Sequence, residues 1–81
     1  MPEPEPIVVD ARRLGCPLPV IELAKAARDV PPGTTLTVLA TDPAARYDVP
    51  AWARLRGHEL LGIAPISDDD DTLAITVRTH A

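Results

Sequence analysis

Apolar residues recur with two different periods along the chain, and the alternation between those periods predicts its elements. Ile7, Val8 and Val9 form a short β-branched run between Pro6 and Asp10, which reads as a first strand. Over residues 17–30 the period lengthens. Val20, Leu23, Ala24, Ala27 and Val30 return every three or four positions, with Glu22, Lys25 and Asp29 opposite, the pattern of a helix with one apolar face. Pro17 suits the first helical position, where an amide would have no intrahelical partner, and Pro31-Pro32-Gly33 ends the run. A period of two then takes over in residues 34–40, with Leu36, Val38 and Ala40 on one side and Thr35, Thr37 and Leu39 on the other. Asp42-Pro43 carries helix-start chemistry, yet Pro50 stands where an amide should be bonded. The pattern therefore predicts a turn over residues 43–47 and a short helix over about 50–56, capped by Asp48, reaching the core through Val49 and Trp52 and leaving through Gly57. Residues 58–66 and 72–79 read as two strands around a turn at 67–71, the last with Leu73, Ile75 and Val77 on one face.

The resulting order is β-α-β-α-β-β. Two helices in so short a chain cover one face of a four-stranded sheet, so the fold class is α/β, a two-layer sandwich with a mixed sheet. Parallel pairs are expected from the two helical crossovers and an antiparallel pair from the terminal hairpin. Residues 1–6, with alternating Pro and Glu, read as a flexible lead-in, residues 7–79 as a single domain and residues 80–81 as its end.

Composition narrows the function classes. The chain has 81 residues and a formal net charge of −4, and Trp52 and Tyr47 are its aromatic residues. A nucleic-acid binder ordinarily needs a basic face and stacking rings, so no direct nucleic-acid partner is expected. A domain of this size buries only about 60% of the surface its unfolded chain exposes, which leaves no room for a deep substrate cavity. The start lacks a basic segment followed by an apolar one, and no uncharged apolar stretch approaches the roughly 20 residues of a membrane span. A soluble, cytoplasmic protein without membrane insertion is expected.

The candidate chemistry centres on the single cysteine, Cys16. One thiol cannot close a disulfide within its chain or resolve its own mixed disulfide. Cys16 falls between a strand and a helix start, where free amides carry about half a positive charge, and Arg12 and Arg13 precede it. This placement predicts a lowered thiol pKa, with the arginines favouring the anion and Pro17 and Pro19 making the helix end rigid. On a helical wheel at about 100° per residue, Leu18 points away from the apolar face, where it can serve as a docking contact for a partner protein.

The run Cys16-Pro17-Leu18-Pro19, preceded by Asp10 and opening a helix, resembles the CPxP signature of the TusA/SirA-like sulfur-carrier family. The resemblance continues through Pro32-Gly33, Leu36-Thr37-Val38, Asp42-Pro43-Ala44, Asp48-Val49-Pro50 and Gly57-His58-Glu59-Leu60, and so covers residues 7–78 in one order. It implies the same β-α-β-α-β-β fold and a persulfide relay, in which a sulfur-donor protein such as a cysteine desulfurase loads Cys16 and a downstream acceptor protein unloads it. Such a sulfurtransferase needs no cofactor and no metal. Arg13 stands where many members have glycine, Gly15 where some have arginine, and Leu18 where some tRNA-thiolation carriers have glutamate.

Other polar residues compete less well. His58 could serve Cys16 as acid or base, but a strand-start histidine is the simpler reading, and His80 lies at a frayed end. Residues 68–71 are four aspartates without the alternation or glycine of a calcium loop, which suits a solvated turn. Asp10 and Asp42 suit loop hydrogen bonding or partner steering, and Arg46, Arg54 and Arg56 a solvated face or an acidic partner. Two other functions compete with the carrier: a non-catalytic regulatory or binding module with an incidental Cys16, and a redox-sensing thiol.

Overall fold

The computed structural model describes residues 6–66 and 71–80. Its elements run β1 (Ile7–Ala11), α1 (Leu18–Arg28), β2 (Thr35–Ala40), α2 (Ala45–Arg56), β3 (Glu59–Pro65) and β4 (Leu73–Arg78). This is the β-α-β-α-β-β order read from the sequence. Most of the lead-in, most of the turn at 67–71 and residue 81 lie outside the described residues.

The four strands form one mixed sheet in the order β1-β2-β4-β3. β1 pairs parallel with β2, while β4 pairs antiparallel with both β2 and β3. The first crossover thus yields the expected parallel pair. The second does not, because β4 inserts between β2 and β3, leaving those two parallel in direction but not hydrogen-bonded. A bulge between Leu60 and Gly62 shifts the register of edge strand β3, an irregularity that its mixed apolar sequence conceals.

The period-two strands bury the faces their sequences mark. Leu36, Val38 and Ala40 of β2, Ile75 and Val77 of β4, and Ala11 of β1 are buried under Leu23 of α1 and Ala45, Val49 and Ala53 of α2. On the opposite face Thr37 and Thr76 hydrogen-bond across the strands at 2.9 Å. Helix α1 starts one residue later than expected, with Pro17 at its N-cap, and ends at Arg28, where the Asp29 amide turns back to the Ala26 carbonyl.

Helix α2 departs most from expectation, being a continuous helix that contains Pro50. Proline there removes one backbone hydrogen bond near the helix start, a cost of about 3 kcal/mol in a helix interior. The buried residues Ala45, Val49 and Ala53 lie four apart and anchor the helix along its whole length, which outweighs the missing bond. The exit follows the expected left-handed glycine. Gly57 has φ of 77°, its amide donates to Arg54 and the His58 amide donates to the Ala53 carbonyl at 2.8 Å.

Candidate functional site around Cys16

Residues 12–17 cross from the end of β1 to the start of α1, and two carboxylates of the neighbouring segments hold them in place. Asp42 follows β2. Its Oδ2 accepts the Cys16 amide at 2.6 Å, and its Oδ1 accepts the Ala44 amide at 2.9 Å. Those two bonds, the Ala44 one first, hold the Asp42 carboxyl below its ordinary pKa. Earlier in the loop, Arg13 adopts a left-handed φ of 71°, and its amide donates to Thr41 Oγ1 at 2.9 Å. That conformation favours glycine and is strained for a residue with a side chain.

The Cys16 side chain is exposed and donates to Asp48 Oδ2 at 2.9 Å. Asp48 lies in the first turn of α2. The hydrogen bond to Asp48 raises the thiol pKa above its ordinary value of 9.0, with desolvation and the charges of Asp48 and Asp42 adding to the rise. The lowered pKa expected from the sequence is therefore reversed, for two physical reasons. The helix-start amides are committed elsewhere or absent: Cys16 donates to Asp42, Leu18 donates to the Gly15 carbonyl at 2.8 Å, and Pro17 and Pro19 have none to offer. The arginine charge is also directed away from the thiol. Arg12 grips Asp10 through Nε at 2.9 Å and Nη2 at 2.8 Å, and Asp10, bonded to Arg12 and near Arg13, falls to a pKa of about 2.

Pro19 is buried beneath the helix start, and Leu18 is exposed. Ile21, one turn further on the same face, is exposed as well, a second apolar contact that the sequence reading did not single out. An open basin of about 830 Å³ at this end of the sheet is lined by Asp10, Arg12, Arg13, Thr41 and Asp71.

His58 is not brought to Cys16. It follows the far end of α2, whose last residue is about 12 Å along the helix axis from Asp48, and its ring lies 4.9 Å from that of Trp52. Its Nδ1 accepts the His80 amide at 3.0 Å, which ties down a residue expected to be frayed. Burial, then the charges of His80 and Arg56, lower its pKa below 6.5. Among the described residues, no group of three or more His, Cys, Asp and Glu side chains could hold a metal ion. No described helix is long and apolar enough to cross a membrane.

The residue that sequence reasoning missed is Asp48. A helix beginning at Ala45 rather than near Pro50 puts Asp48 inside the first turn, facing the cysteine loop, instead of at a cap. The Ala45, Val49, Ala53 spacing carried that signal.

The fold is thus a two-layer α/β sandwich that presents one exposed thiol just before its first helix. Residues 7–79 match the family model described as Sulfurtransferase TusA, and the chain belongs to that family. It is 44% identical over 61 residues to the sulfur carrier protein TusA of Pseudomonas paraeruginosa, covering 75% of this chain and 77% of that one. It is 43% identical over 56 residues to the putative sulfur carrier protein YrkF of Bacillus subtilis. That match covers 69% of this chain but only 30% of YrkF, so the chain spans under a third of that relative. The SirA-like protein of Desulfitobacterium hafniense superimposes with a TM-score of 0.80 at 25% identity, over 93% of this chain and 99% of that one.

Proposed function

We propose that the protein is a sulfurtransferase of the carrier type, which accepts a sulfane sulfur as a persulfide on Cys16 and passes it to an acceptor protein. The observation that carries this reading is the exposed, solitary thiol of Cys16, held by its backbone at a proline-bounded helix start in a chain of the TusA family. Relatives named sulfur carriers support the role. The transfer is an exchange. The Cys16 thiolate attacks the outer sulfur of a donor persulfide, a new S–S bond forms as the donor's S–S bond breaks, and the donor cysteine leaves as a thiolate. A second thiolate on the acceptor repeats the step, so one cysteine suffices.

The supporting residues take their parts around that step. Pro17 and Pro19 fix the start of α1, so that Cys16 is presented in one orientation. Leu18, with Ile21 beside it, docks an apolar patch of the donor, which is a protein such as a cysteine desulfurase. Arg12 and Arg13 border the basin at the same end, where they meet an acidic surface of the incoming donor.

Peptide mapping after loading tests the assignment. Incubation with a cysteine desulfurase and cysteine, followed by alkylation and digestion, places one extra sulfur on the peptide containing Cys16. A peptide found unmodified, under conditions that load an established carrier, overturns the reading.

A further inference from the structure

The two carboxylates that converge on Cys16 have different targets. Asp42 bonds to the backbone amide and acts on the sulfur by its charge alone, whereas Asp48 reaches across from α2 to hydrogen-bond the sulfur itself. A thiol donating to a carboxylate is stabilised as S–H, because ionisation would remove the donated proton and set two anions side by side. Among the described residues, no cation offsets this. From α2 and the segment before it the charged groups facing Cys16 are Asp48 and Asp42, and on its own loop Arg12 is bonded to Asp10 and Arg13 acts on that same carboxylate.

We propose that Asp48 is a positioning residue for Cys16 that holds the unloaded thiol protonated and in one rotamer, restraining its reactivity in the free carrier. The inference rests on the carrier reading and adds a control to it. A carrier spends part of its cycle unpartnered with its thiol in solvent, and an exposed thiolate would be open to oxidation at each such interval. The restraint keeps Cys16 as S–H between rounds. Transfer in the donor complex proceeds with the proton released to solvent and recovered by the departing donor thiolate, so no oxidant or reductant is consumed.

The test is the pH profile of Cys16 alkylation by iodoacetamide in the full chain, for the wild type and for Asp48→Asn, with far-ultraviolet circular dichroism as the check on folding. The restraint predicts that Asp48→Asn moves the midpoint to lower pH and raises the rate at neutral pH severalfold. An unchanged or higher midpoint in a folded variant overturns it. The wild type provides a second measurement that needs no variant. Thiolate absorbance should titrate at higher pH in the folded chain than in the same chain unfolded in urea, and a folded midpoint at or below the unfolded one also overturns the proposal. Neither readout uses a sulfur donor. Failure of persulfide loading therefore counts against the carrier reading, and failure of the pH shift counts against the restraint.

Discussion

Asp42 and Cys16 are joined by a backbone contact of 2.6 Å, and through the same carboxylate Cys16 is coupled to the start of α2 at Ala44. The cysteine loop is thus referenced to both helices rather than hanging from β1 alone. A charge-assisted bond of this kind fixes a loop more firmly than a neutral one. Replacing Asp42 by alanine should free the loop while leaving the sheet intact. Amide hydrogen exchange reads this directly: protection at Cys16 falls in the variant and protection in β2 and β4 does not. Retained protection at Cys16 would show that the loop is held by other means.

Asp10 makes stability depend on acid in a predictable direction. Its carboxyl is held at about 2 in the folded chain, first by Arg12, against an ordinary value of 3.8. A depressed folded pKa contributes stability that is present above the unfolded value and lost as pH falls through the folded one. Denaturant midpoints should therefore drop between about pH 4 and pH 2 more steeply for the wild type than for Asp10→Asn. The effect is modest, as for exposed ion pairs generally. Parallel profiles would contradict it.

Leu23 is the α1 side chain that closes the core over β2, fully buried with Leu36, Val38 and Ile75. Truncation to alanine removes buried methyl groups and leaves a cavity, which costs about 2–5 kcal/mol. Urea unfolding should show this as a lowered midpoint with little change in slope. A loss below about 1 kcal/mol would mean that the helix can settle into the space.

Leu18 should behave in the opposite way. It is 43% exposed, so Leu18→Ala changes stability by no more than about 0.5 kcal/mol. Loading by the donor should nevertheless slow, through a higher apparent KM with a nearly unchanged kcat, because the contact serves docking. Unaltered loading kinetics would remove Leu18 from the interface.

Much of the architecture was legible because burial follows period. Leu36, Val38 and Ala40 alternate in sequence and in burial, and the wheel that put Leu18 outside and Leu23 inside describes α1 as it stands. What stayed hidden depends on contacts between distant segments. Pro50 outweighed the stripe Ala45, Val49, Ala53 in the local pattern, since propensity counts a lost hydrogen bond and cannot count burial against a sheet. That misplacement also concealed Asp48, 32 positions from Cys16 in sequence and 2.9 Å from it in space. The sign of the thiol's electrostatics followed. Arg12 and Arg13 are near in sequence and so looked decisive, whereas the groups that act on the sulfur come from α2 and the segment before it.

The carrier account is tested most directly by intact-mass measurement of the wild type and Cys16→Ala after incubation with a cysteine desulfurase and cysteine. The account predicts that the wild type gains the mass of one sulfur atom, loses it on addition of a thiol reductant, and that Cys16→Ala gains nothing. A wild type that stays unmodified where an established carrier is loaded, or a Cys16→Ala variant that still gains sulfur, would contradict it.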